Sequence, residues 1–137
     1  MADTFRLEIT TPERMVVRED VEEAQVPARN GYLGVMPGHA PLLAQLKPGA
    51  LTFRNGGQTT TLAISGGFLE VLPDQARALV ETAERACEID VTRAEKARQR
   101  AEERLRASKP DVDIDRATVA LERAIVRLQV AGRSPGH

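Results

Sequence analysis

One cysteine, no tryptophan and no long apolar run set the first limits on what this chain of 137 residues can be. Cys87 stands alone, so neither an intrachain disulfide nor a cysteine-based metal cluster can form. With one tyrosine and three phenylalanines, the core must be filled by aliphatic side chains. The same scarcity removes the stacking platforms of single-stranded nucleic-acid binders. Neither charge dominates: 19 basic and 20 acidic residues give a net charge of −1, too little to draw in nucleic acid or anionic lipid. Apolar stretches last a few residues, far below the roughly 20 needed to cross a bilayer. The opening Met1-Ala2-Asp3-Thr4-Phe5-Arg6 lacks a basic segment followed by an apolar one, so no export signal is expected. A cytosolic protein, or the soluble part of an assembly, is the resulting expectation, with no metal site.

What is present divides at about residue 86. Before it, Phe5, Leu7 and Ile9 alternate with polar partners, as do Ala24, Val26 and Ala28, Leu51 and Phe53, and Ala76, Ala78 and Val80. Period-2 alternation marks half-buried strands. Leu62 and Ile64 lead into Ser65-Gly66-Gly67, after which Phe68 to Val71 resume a strand. Asn55-Gly56-Gly57 has the composition of a tight hairpin turn. Further turn signals stand at Thr11-Pro12, Asn30-Gly31, Pro37-Gly38, Lys47-Pro48-Gly49 and Pro73-Asp74. Many short strands so punctuated predict a compact antiparallel sandwich or barrel over 1–86.

Over 87–137 the period changes to that of a helix. Ala94, Ala97, Ala101 and Leu105 recur at three- and four-residue steps, and Ile114, Ala117, Leu121, Ala124, Leu128 and Ala131 do the same. Helices of about 91–107 and 113–131, joined through Ser108-Lys109-Pro110, predict an antiparallel hairpin. Its seam is mostly alanine, which favours helix but buries little area at about 25 cal/mol per Å². Such helices keep their shape while docking weakly, as a movable element requires; a permanently docked hairpin is the competing reading. Glu102 and Arg106 are spaced to pair on the outer surface.

Two glycine-containing stretches stand out in the first half. In Gly31-Tyr32-Leu33-Gly34-Val35-Met36-Pro37-Gly38-His39-Ala40-Pro41-Leu42, the glycines suit a strand packed close to another backbone, followed by a turn. His39 has the chemistry of a general base, but no Ser-His-Asp order or metal-spaced histidine pair accompanies it, the other histidine being His137. It is expected in a turn or interface. Ser65-Gly66-Gly67-Phe68-Leu69-Glu70-Val71 lacks the Lys-Ser or Lys-Thr and following helix of a phosphate loop, so a bulge or tight strand connection is expected. Cys87 has Arg85 as its near basic neighbour and is expected to be a small packing residue.

These two stretches, at this separation and followed by a helical hairpin, resemble the epsilon subunits of bacterial F-type ATP synthases from about Phe5 to about Val130. The resemblance implies an α+β fold: a flattened ten-stranded β-sandwich, then two helices. It implies a non-catalytic rotor component of a proton-translocating synthase, peripheral at the cytoplasmic face of the plasma membrane. The sandwich would bind the gamma subunit and the c-ring, with Arg29, Asn30, Gly31 and His39 as candidate contacts. The hairpin would extend toward the alpha and beta subunits to inhibit ATP hydrolysis, with Arg116, Arg123 and Arg127 facing acidic groups there.

No cofactor is required by this reading, but ATP enters as a regulatory ligand. Some bacterial epsilon subunits bind it through Ile/Leu-Asp-x-x-Arg-Ala, and Ile89-Asp90-Val91-Thr92-Arg93-Ala94 matches that motif. By the same resemblance Glu84, Arg100, Arg123 and Arg127 complete the candidate site. From physics alone, Asp90 is a helix N-cap and the arginines are a solvated helix face. A free-standing ATP-binding module, a hydrolase built on His39 and a generic adaptor are the alternatives from other functional classes.

Overall fold

Alternation in sequence becomes alternation in burial in the computed structural model, which describes residues 3–107 and 113–132. Strand β1 (Phe5–Thr10) buries Phe5, Leu7 and Ile9, and β9 (Gln75–Val80) buries Ala76, Ala78 and Val80. Between them run β2 (Met15–Val21), β3 (Glu23–Ala28), β4 (Gly31–Val35), β5 (Leu42–Leu46), β6 (Gly49–Asn55), β7 (Gln58–Ile64) and β8 (Gly67–Leu72), with β10 (Ala83–Arg85) last. The strands pair in the order β10-β7-β6-β3-β5-β8-β9-β1-β2, and β4 pairs with β3. Pairing is antiparallel except between β1 and β9. The resulting ten-stranded sandwich encloses Leu7, Ile9, Val26, Leu51, Phe53, Leu62, Leu69 and Val71, all essentially inaccessible to water.

Glycine matters at two places. Gly56 and Gly57 carry φ of +59° and +81° in the two-residue turn closing β6 onto β7, which side chains would strain. At Gly67 an added Cβ would lie 2.0 Å from the Leu79 carbonyl oxygen, so β8 and β9 approach this closely only without a side chain. The close backbone packing expected around Gly34 is not found: a Cβ there would meet nothing within 4 Å.

After a single helical turn (Ala86–Glu88) come α1 (Val91–Ala107) and α2 (Ile114–Ala131). The α+β expectation therefore holds. Ser108-Lys109-Pro110 lies outside the described residues, as does the tail from Arg133 to His137. Ala94, Ala101, Ala117 and Ala124 form the buried part of the seam, while Ala97, Leu105, Leu121 and Leu128 are half-buried. Ile114 departs from the expected seam and is 59% exposed, since it begins α2 at the hairpin end remote from the sandwich. A second apolar face was not anticipated: Val130 is fully buried and, with Val126, packs on Ala50, Ala63, Ala86 and Ile89. Cys87 also departs from expectation. It is exposed, because Ala86 takes the inward position in its turn. On the outer surface, Arg98 bridges Glu95 and Glu102, so Glu102 faces Arg98 and not Arg106.

Candidate functional site

Where the sandwich hands over to the hairpin, four segments converge on a polar recess of about 210 Å³. Glu84 comes from β10, Glu88 from the helical turn, Asp90, Arg93 and Ala94 from the start of α1, and Arg127 from α2. Local rules place these groups. Asp90 precedes the first turn of α1, and its carboxylate accepts from the Arg93 backbone N–H at 3.0 Å. That is N-capping, and it orients the positive end of the helix toward the recess. Arg127 lies three residues before the buried Val130, so docking of α2 carries its guanidinium to β10, where Nε donates to Glu84 Oε1 at 2.6 Å. Arg123, one turn earlier, donates to Glu81 Oε2 at 3.1 Å. Among the described residues, the Arg93 side chain makes no ion pair.

Of the candidate nucleotide-site residues, Glu84, Asp90, Arg93, Ala94 and Arg127 thus meet in one place. Ile89 does not line the recess; it is buried beneath it in the contact with Val130. Arg100 is exposed seven residues further along α1, roughly 10 Å from Arg93 at 1.5 Å per residue. Arg123 borders the neighbouring crevice with Glu84 and Val126. Arg116 is exposed near the start of α2, where its backbone N–H donates to Asp113 Oδ1 at 3.0 Å. Glu88 was not singled out from the sequence, although its charge beside the Ile-Asp pair was a usable signal.

The other candidate residues lie elsewhere on the sandwich. Arg29 and Asn30 form the β3–β4 turn and Gly31 opens β4, with Arg29 Nη1 donating to Gln45 Oε1 at 3.1 Å. His39 follows the opposite end of β4, beside the β8–β9 turn, where the Gly38 N–H donates to the Pro73 carbonyl at 2.8 Å. The His39 ring is half-buried, with Nδ1 at 2.7 Å from the Ala40 carbonyl oxygen, an arrangement that orients a loop. The turn and His39 are therefore not brought together.

A second surface was missed in the sequence. On the outer face of β5, β8 and β9, Leu43, Phe68 and Leu79 are 77%, 64% and 58% exposed. Phe68 pairs directly with Leu79, and a groove of about 560 Å³ beside them is lined by Pro12, Leu46 and Val80. These positions follow the same alternation as the core, shifted by one residue, so hydrophobicity on both faces was the available signal.

Comparison with known proteins matches this two-part architecture. Residues 4–86 match the family described as ATP synthase, Delta/Epsilon chain, beta-sandwich domain, and residues 88–132 match ATP synthase, Delta/Epsilon chain, long alpha-helix domain. The chain is 50% identical over 133 residues to the ATP synthase epsilon chain of Solibacter usitatus, covering 97% of this chain and 99% of that one. It is 49% identical over 129 residues to the ATP synthase epsilon chain of Bacillus velezensis, covering 94% and 98%. Among solved structures, it resembles a chain of the Euglena gracilis mitochondrial ATP synthase OSCP/F1/c-ring assembly. The TM-score is 0.83 at 27% identity, over 96% of this chain and 82% of that one. Both halves are matched, in order and over nearly the full length: the chain belongs to the ATP synthase epsilon-chain family.

Proposed function

We propose that this chain is a non-catalytic central-stalk subunit of a proton-translocating F-type ATP synthase, peripheral at the cytoplasmic face of the membrane, whose hairpin regulates ATP hydrolysis in response to ATP. Leu43, Phe68 and Leu79 offer an exposed apolar face of the kind that marks a protein interface, and the gamma subunit is assigned to it. The β3–β4 turn at Arg29, Asn30 and Gly31 is assigned to the c-ring. His39, at the other end of β4, then serves a separate contact on gamma.

The observation that carries the regulatory reading is that the recess has walls from both halves of the chain. It is complete only while α2 lies on the sandwich, because Arg127 enters it from α2 and Glu84 from β10. Arg93, the N-terminal end of α1 and Arg127 supply what phosphate oxygens need. At about 210 Å³ the recess is smaller than the roughly 300–1,000 Å³ of small-molecule pockets, so it takes phosphates while the nucleoside lies outside, along α1 toward Arg100. A ligand held only by the docked state shifts the population toward it. Arg123 and Arg127 are engaged by Glu81 and Glu84 when docked. Released, and joined by Arg116, they are available to acidic groups on the alpha and beta subunits, so the nucleotide and the catalytic head compete for them.

Calorimetric titration of the full chain with ATP tests this, beside Arg93→Ala and Arg127→Ala. The expected result is binding that both substitutions weaken. No binding at millimolar ATP would remove the latch and favour the permanently docked hairpin, a reading supported by the buried Val130 and the Arg127–Glu84 bridge.

A further inference from the structure

The recess contains more negative charge than its proposed ligand requires. Glu84, Glu88 and Asp90 face Arg93 and Arg127. Two of the acids have evident tasks: Glu84 holds Arg127, and Asp90 caps α1. Glu88 is held at both oxygens. Oε1 accepts from the Arg85 backbone N–H at 2.9 Å, and Oε2 lies 3.3 Å from Arg14 Nη2. The carboxylate therefore cannot swing away from an arriving anion without losing these bonds. Its counter-charge comes from outside the recess, 74 positions away in sequence, in the β1–β2 turn. That turn holds Arg14 by its backbone: the Thr11 N–H donates to the Arg14 carbonyl at 3.0 Å and the Arg14 N–H to Thr11 Oγ1 at 3.3 Å.

We infer that Glu88 and Arg14 set the nucleotide affinity of the recess and its discrimination by phosphate charge. The inference rests on the nucleotide reading above. Glu88 repels each phosphate brought beside Arg93, and Arg14 offsets part of that repulsion. The repulsion grows with ligand charge, so Glu88 weakens ATP binding more than ADP binding. Both side chains are substantially exposed, at 41% and 57%, so solvent screening keeps the effect to a few-fold.

The test is calorimetry on the full chain with ATP and with ADP at low ionic strength. Glu88→Gln retains a neutral acceptor for the Arg85 N–H, so the helical turn survives and only the charge is removed. The expected result is about a threefold gain in ATP affinity and a smaller gain for ADP. Arg14→Gln weakens ATP binding about twofold, alone and in the Glu88→Gln background alike, because each charge acts on the phosphates independently. Both effects fade at about 1 M salt, where the screening length is near 3 Å. ATP binding that Glu88→Gln leaves unchanged, or that Arg14→Gln leaves unweakened, overturns this inference alone. Absence of ATP binding in both the unsubstituted chain and Glu88→Gln overturns the nucleotide reading and this inference together.

Discussion

The two halves of the chain are held by contacts of very different size. Inside the sandwich, Phe53, Leu7, Ile9, Leu51, Leu62 and Leu69 are sealed from water, each burying a large side chain among others of its kind. Between the helices the buried residues are Ala94, Ala101, Ala117 and Ala124, and between hairpin and sandwich they are Val130, Ile89, Ala50, Ala63 and Ala86. Full burial of a Leu or Ile side chain contributes about 1.5–3 kcal/mol, and an alanine methyl far less. The sandwich can therefore stand as a fixed platform. The hairpin is held on it by one valine-centred contact and a few ion pairs, a much smaller buried surface.

The largest expected effect tests the platform. Leu69 is fully buried on β8 opposite Ala44 and Ala78. Leu69→Ala should lower the free energy of unfolding by about 2–5 kcal/mol in urea titrations, with hairpin docking unchanged until the sandwich melts. A loss below about 1 kcal/mol would mean that large and small cores do not produce two grades of stability here.

Next in size is the docking contact. Val130→Asp puts a carboxylate against Ala50, Ala63 and Ile89. The helices can escape that cost by undocking, which limits the loss to the docking free energy itself, about 2 kcal/mol for one valine-sized contact. Amide exchange should quicken over Val126–Ala131 while β8 and β9 stay protected. Equal acceleration in β8 and β9 would show one cooperative unit and collapse the distinction between platform and hairpin.

How legible this was differs between the halves for the same physical reason. Strands with one buried face, such as β1 and β9, and the Asn55-Gly56-Gly57 turn were readable because alternation and positive φ leave local marks. β2 (MVVREDV) and β5 (LLAQL) were not, since neither alternates cleanly and β5 exposes Leu43 on the outer face. The alanine seam followed from three- and four-residue spacing. The Val126–Val130 face did not, because a helix with two neighbours carries two apolar stripes whose roles only the tertiary contact separates. The sequence motif brought out Asp90 and Arg93 of the recess, whereas Glu88 with its Arg14 partner depended on a turn 74 residues away.

A smaller effect is expected at the start of α1. Asp90→Ala removes the cap on the Arg93 N–H and should destabilise the first turn of α1 by about 1 kcal/mol, read as faster exchange at Arg93 and Ala94. Asp90→Asn keeps an acceptor and should restore most of the protection. A cap that matters only through its charge would leave Asn no better than Ala.

The smallest effects belong to the ion pairs, and their ranking decides what kind of latch the docked hairpin has. Arg127 and Glu84 are about one-third exposed and 2.6 Å apart, while Arg123 and Glu81 are 46% and 71% exposed and 3.1 Å apart. Arg127→Gln should weaken docking by up to about 1 kcal/mol and Arg123→Gln by no more than about 0.5 kcal/mol, because screening removes most of an exposed pair. Both losses should shrink as salt rises, whereas the Val130→Asp loss should not. If Arg123→Gln frees the hairpin as fully as Val130→Asp does, docking is electrostatic and the valine contact merely follows it. The hairpin would then respond to ionic strength before nucleotide. If it does not, the apolar contact sets the strength of docking, and the arginines are left for ligands and partners to claim.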